Sequence, residues 1–324
     1  MSEFSRRDFL RRSAGLAAVA GASVVPGVTA IAGRLTPNNH SVPDITFPAK
    51  KHDRIAVASW PFRMYMESPY NTEYRDPKLK GMDLTEFPAH VRDRFGVHNI
   101  EPLSMHFRST DPDYLHEFRT AVEKAGSHIV DIPMGGQESY YDADPEVRKK
   151  AVELGKKWVD VAVAVGSPSI RNHIGGAKSS APNVEVTAKG LKQVAEYGAS
   201  KNVVVNLEND DLTSEDAFFI VKVIEKVNSP WLRALPDFCN SMMGGNADFN
   251  YRAVAAMFKH AYNICHVKDS EVGDKGKVER VDVPKTFGIL KASGFRGYCS
   301  MEWEGAGDPY HGTQQLIAAT LKYL

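Results

Sequence analysis

The feature that most constrains this chain is a rhythm. From about residue 53 onwards, short apolar runs rich in β-branched residues alternate with longer amphipathic stretches. Strands are expected at residues 55–59, 98–102, 128–133, 167–172, 203–207, 232–236, 262–267 and 297–301. Helices are expected to begin near Asp83, Asp111, Asp144, Val184, Ser214, Tyr251, Val283 and Pro309. Local chemistry supports these starts and stops. Asp111-Pro112 and Asp144-Pro145 each offer a capping carboxylate followed by proline at the first helical position. Gly126, Gly166 and Gly294 follow helical patterns, where the left-handed C-terminal turn favours glycine. Ala217 to Ile224 carries apolar residues over one wide face. Strict strand–helix alternation through residues 53–324 predicts an α/β chain folded as a single (β/α)8 barrel. An open doubly wound sheet would usually place a glycine-rich turn after an early strand. The first strand here runs instead into Trp60-Pro61-Phe62-Arg63.

Composition narrows the function classes. Forty Lys and Arg balance forty Asp and Glu, so no global field favours nucleic acid or an anionic surface, and no nucleic-acid partner is expected. The three cysteines, Cys239, Cys265 and Cys299, fall in apolar strand segments and read as small buried hydrophobes, not a disulfide framework. The head of the chain is more specific. Arg6-Arg7 precedes Phe9-Leu10, and a weakly apolar Ala/Gly/Val stretch follows from Ala14. That layout resembles a twin-arginine (Tat) export signal, here residues 1–33, with cleavage after Ala30 or Ala32. A short amphipathic helix or uncleaved anchor is the alternative. Pro26 and the many small residues disfavour a stable membrane span. Residues 34–52, rich in Pro, Asn and Ser, read as a linker. The expected location is therefore periplasmic or extracytoplasmic, with the Tat machinery as a transport partner. The oligomeric state is left open between monomer and homo-oligomer.

In a barrel, function gathers at the C-terminal strand ends. Strand five ends in Glu208, strand six in Asp237, strand seven in His266 and strand eight in Glu302. Their spacings are each close to one βα unit, so four neighbouring strands can each present one group at the same height. Three carboxylates and an imidazole brought together without a partner would repel and be costly to desolvate. One divalent cation removes that conflict. An oxygen-rich set with one histidine suits Mn²⁺ or Mg²⁺, with Co²⁺ or Zn²⁺ as alternatives. Other groups at strand ends are candidates for substrate contact: Lys268, which shares parity with His266; Arg171 and His173 after strand four; Glu101 after strand two; and Trp60 in the long loop after strand one.

Leu207-Glu208-Asn209, Asp237, His266-Val267-Lys268-Asp269 and the closing run from Gly294 to Glu302 resemble the xylose-isomerase-like superfamily of sugar isomerases and epimerases. The resemblance spans the chain after the linker. It implies that Glu208 and Glu302 bind metal and also shuttle protons. Members often carry a substrate-touching histidine three residues after the strand-six Asp. This chain has Asn240 there, which becomes a candidate substrate ligand. The usual glycine-rich segment before a late helix instead reads Val278-Glu279-Arg280-Val281-Asp282.

The expected activity is isomerisation or epimerisation of a sugar or polyol. One glutamate removes the proton next to a carbonyl, and the ene-diolate is held by the cation. The same proton abstraction followed by loss of a β-substituent would make a lyase or hydratase acting on a 3-keto-glycoside. A non-catalytic sugar-binding protein with a purely structural metal is the third reading.

Overall fold

The computed structural model describes residues 41–244, 246–272, 277–305 and 307–324. The expected export signal at 1–33 and the first part of the linker lie outside the described residues. Eight parallel strands form the barrel wall: β1 Ile55–Ala58, β2 Asn99–Glu101, β3 His128–Ile129, β4 Ser169–Arg171, β5 Val204–Glu208, β6 Leu232–Leu235, β7 Ile264–Val267 and, after a small hairpin, β10 Tyr298–Met301. The hairpin is β8 Ser270–Val272 paired antiparallel with β9 Val278–Arg280. Eight helices alternate with the wall strands: α1 Phe87–Phe95, α2 Pro112–Lys124, α3 Pro145–Val165, α4 Val184–Lys201, α5 Ala217–Val227, α6 Ala247–Phe258, α7 Val283–Ala292 and α8 Pro309–Tyr323. The (β/α)8 expectation holds. No described helix is long and apolar enough to cross a membrane.

Continuous hydrogen-bonded pairing divides the wall into two sheets, ordered β3-β2-β1-β10-β7 and β4-β5-β6. Two seams join them. At one, Pro133 bridges Arg171, and Met134 N donates to Arg171 O at 3.0 Å. At the other, Asp237 bridges His266, with His266 N donating to Pro236 O at 3.0 Å and Phe238 N to His266 O at 3.2 Å.

The strands are buried on both faces, as a parallel wall covered by helices requires; all four residues of Ile55–Ala58 are inaccessible to solvent. Six of the eight helix starts carry a side-chain cap; Asp111, expected to cap α2, makes none, and its carboxylate takes the Ser109 hydroxyl instead. Asp144 accepts from Glu146 N and Asn183 from Val186 N. Gly166 ends α3 in the left-handed region at φ 81°. Three starts differ from expectation. Asp83 takes Thr85 N and Oγ1 into a local turn, so α1 begins only at Phe87. Ser214 is bound into a turn by Asp211, and Asp216 caps α5 instead, accepting from Phe218 N and Phe219 N. Asn246 caps α6, accepting from Phe249 N, and places its start four residues ahead of Tyr251.

The described part of the linker lies along the barrel at the N-terminal ends of β7 and β10. Phe47 packs edge-on against Tyr262 and Tyr298, and Tyr262 Oη donates to Pro43 O.

Candidate metal centre

Glu208 is the last residue of β5, Asp237 follows β6 by two residues, His266 lies within β7, and Glu302 follows β10. Each is at most 1% exposed. One ligand atom from each can be chosen so that all four lie within 4.8 Å of one another. His266 Nδ1 is 2.9 Å from Glu208 Oε1, 3.3 Å from Glu302 Oε2 and 4.0 Å from Asp237 Oδ2. Ligands held about 2.0–2.2 Å from one ion are at most about 4.4 Å apart, so the set needs only small side-chain adjustments to close on a cation. Asp237 is oriented for this. Its Oδ1 accepts from Cys239 N and Asn240 N, while its buried Oδ2 accepts no hydrogen bond and faces the other three groups.

The remaining nitrogen of the imidazole is also committed. His266 Nε2 lies 2.8 Å from Glu101 Oε1, and Glu101 Oε2 takes the hydroxyl of Ser300. A carboxylate behind a ligating histidine fixes its tautomer and raises its basicity. Glu101, expected among the substrate contacts, is fully buried behind His266.

Charge counting makes the case for a cation stronger. Among the described residues, nine buried carboxylates gather in and behind the centre: Glu101, Asp131, Glu208, Asp210, Glu215, Asp237, Glu271, Glu302 and Glu304. Among the described residues around them, Arg171 and Lys268 are the permanent cations, with His173 and His266 as titratable partners. Even with both imidazoles charged, the carboxylates are in excess. Burial accordingly pushes Asp237 up to about 6, against the pull of Lys268 and with the push of Glu208 and Glu302. For His266, burial works against the charged form, but Glu101, Glu302 and Glu208 outweigh it and lift the imidazole well above its usual range. The donor set fits a divalent ion, and Nδ1 would be its nitrogen ligand.

The other expected residues divide into two groups. Arg171 and His173 line the mouth together with Trp60, Leu103, Ser104, Met105, Pro133, Met134, Asp210 and Glu302. Arg171 Nε is 3.2 Å from Glu208 Oε2, and His173 Nδ1 is 2.9 Å from Glu215. Arg171 and His173 also touch each other through Nη1 and Nε2. Lys268 and Asn240 lie deeper, on the hairpin side. Asn240 Nδ2 donates to Glu208 Oε1 at 3.1 Å, and Lys268 Nζ donates to Asn240 Oδ1 at 3.0 Å. Of the aromatic residues in the long first loop, Trp60 reaches the mouth, Phe62 packs into the core against Phe87, Phe95 and Tyr310, and Tyr70 faces solvent. Asp210, Glu215, Glu271 and Glu304 were not anticipated.

The model of the xylose isomerase-like TIM barrel family matches residues 81–324, well over half of the chain. The chain belongs to this family. Solved structures with the same fold include a xylose isomerase domain protein from Planctomyces limnophilus, at 23% identity and TM-score 0.58, covering 72% of this chain and 89% of that one. An L-ribulose 3-epimerase is 18% identical with TM-score 0.63, over 83% of this chain and 94% of that chain. The 3-keto-D-glucoside 4-epimerase of E. coli is 13% identical with TM-score 0.59, over 82% of this chain and 98% of its own. At these identities the likeness shows the barrel fold. No curated protein matches the chain in sequence. In this xylose isomerase-like barrel the clustered carboxylates and histidine sit where the family's architecture places an active site, at the C-terminal strand ends.

Proposed function

We propose that this protein is a divalent-metal-dependent isomerase or epimerase of a neutral sugar or polyol. The observation that carries the proposal is the convergence of Glu208, Asp237, His266 and Glu302, all buried, within 4.8 Å at one end of a closed barrel. A cation held there would polarise a substrate carbonyl and the hydroxyl beside it. Glu302 borders the cleft directly and is the better placed base for the proton next to that carbonyl. Glu208 lies behind Arg171, whose guanidinium pairs with its Oε2 at 3.2 Å and limits its reach to substrate. Glu101 holds His266 in one orientation.

The cleft walls support a neutral substrate. Trp60, Leu103, Met105, Pro133 and Met134 give apolar lining for the C–H face of a sugar, and Arg171, His173, Asp210 and Glu302 give polar lining for its hydroxyls. Both basic residues of that lining are engaged by carboxylates, which leaves no basic cluster for a phosphate. The sugar epimerases with the same fold agree with this reading. Loss of a β-substituent after the same proton abstraction would give the lyase outcome on a keto-glycoside. Export through the Tat route, read from Arg6-Arg7, is part of the proposal.

The test is metal content and acid–base chemistry in the same variants. Purified protein should carry about one divalent ion per chain, and chelation should lower its melting temperature, because an ion bound only by the folded state stabilises it. Glu302→Gln should lose ~10²–10⁴ in rate on keto-sugars or keto-glycosides while retaining metal. Absence of metal, with no thermal shift on adding Mn²⁺, refutes the centre. Full activity of metal-loaded Glu302→Gln refutes its role as base.

A further inference from the structure

Lys268 is fully buried and is not part of the cleft lining, so it is poorly placed to touch substrate. Its surroundings are unusual for a lysine. Glu304 Oε2 lies 2.6 Å from Nζ, Glu302 Oε2 3.0 Å, Asn240 Oδ1 3.0 Å, Glu271 Oε2 3.3 Å and Asp237 Oδ2 3.7 Å. Among the described residues, five side chains thus turn an oxygen toward one buried nitrogen, and four of them are carboxylates. An ammonium has three protons to donate, so it cannot form a hydrogen bond to every oxygen at once. Oxygen cages of this charge and number are what hard divalent cations select.

The cage also shares groups with the metal centre. Glu302 and Asp237 belong to both, and Glu302 Oε2 lies 3.3 Å from His266 Nδ1 and 3.0 Å from Lys268 Nζ. Adjacent sites sharing a carboxylate are the arrangement of two-metal enzymes, whose ions stand about 3.5–4 Å apart. The residues that complete the cage come from different elements. Glu271 is on β8 of the hairpin, Glu304 follows β10, and Asn240 opens the short helical turn Asn240–Gly244 after β6.

We propose that Lys268 is a built-in cation seated in a second cation cage, so that this chain runs on one exchangeable metal ion with a fixed ammonium beside it. The inference rests on the metal centre proposed above. The ammonium neutralises the shared carboxylates as a second ion would, without exchanging and without acting as a Lewis acid. Removing it should therefore open a second metal site instead of merely destabilising the fold.

Mn²⁺ binding separates the possibilities. Wild-type protein should take up one Mn²⁺ per chain, and Lys268→Arg, which keeps a cation in the cage, should also take one. Lys268→Ala in millimolar Mn²⁺ should take two, and their electron paramagnetic resonance spectrum should be that of a spin-coupled pair. Adding Glu271→Gln and Glu304→Gln to Lys268→Ala should return the count to one. A folded Lys268→Ala that still binds one ion overturns the proposal, as do two ions without coupling. So does a Lys268→Ala chain that stays unfolded in millimolar Mn²⁺, because a divalent ion should replace the ammonium. Wild-type protein that binds no ion overturns the metal centre itself, a distinct outcome.

Discussion

Replacing Glu101 by Gln isolates the contact behind the ligating histidine. The amide keeps the volume and an oxygen that can accept from His266 Nε2, but it removes the charge from a fully buried 2.8 Å contact. A hydrogen bond to a charged partner contributes about 1.5–3 kcal/mol, against about 0.5–1.5 for a neutral one. The difference, about 1–2 kcal/mol, corresponds to a roughly 5- to 30-fold loss of metal affinity. Conserving geometry while losing basicity in this outer layer of a metal site typically costs about 10- to 100-fold, so the two routes agree in scale. Calorimetric titration of the chelator-stripped protein with Mn²⁺ would read the effect. Ser300→Ala, which removes the neighbouring hydroxyl but leaves the histidine contact, should change affinity by less than about threefold on the same scale. Unchanged Mn²⁺ affinity in folded Glu101→Gln, with a raised KM for substrate, would refute the argument and return Glu101 to the role of substrate ligand.

Two other perturbations test regions away from the metal. Burial lowers His106 from its ordinary 6.5 to about 3, with Arg63 adding to the effect, while its Nδ1 meets Ser59 Oγ. The unfolded chain therefore binds a proton below pH 6.5 that the folded chain refuses, so stability is intact above 6.5 and falls as the pH drops toward 3. At pH 5 this contribution is about 2 kcal/mol, and His106→Gln should remove that much of the pH 7 to pH 5 loss in urea unfolding; an unaltered loss would refute the assignment. At the head of the chain, Arg6→Lys with Arg7→Lys should leave precursor in the cytoplasm on cell fractionation, and mature protein in the envelope would exclude the Tat route.

The barrel and its four metal-binding candidates were legible because both depend on periodicity. Strand-end positions one βα unit apart must reach the same rim, which is why Glu208, Asp237, His266 and Glu302 could be aligned without coordinates. The same parity argument, carried two residues further along each strand, points to Asp210 after Glu208 and Glu304 after Glu302, as it did to Lys268 after His266. Parity alone therefore places both acids at the rim. Glu215 and Glu271 are different. Glu215 reaches His173 from an irregular turn, and Glu271 reaches Lys268 from a hairpin that no apolar pattern announces. Glu101 shows a third limit. Its strand end was evident, but its partner is a histidine on β7, and only closure of the wall brings the two together.

The two seams give the metal centre a mechanical meaning. Glu208 and Asp237 belong to the sheet containing β4, β5 and β6, whereas His266 and Glu302 belong to the sheet containing β7 and β10. One ion bound by all four would rivet the sheets together across the seam where Asp237 pairs with His266. Stripping the ion would then be felt first as faster amide exchange along residues 234–238 and 261–267, and only afterwards in the strands on either side. The barrel would breathe along that line like a staved cask with one hoop removed, and the clustered carboxylates would drift apart on separate panels.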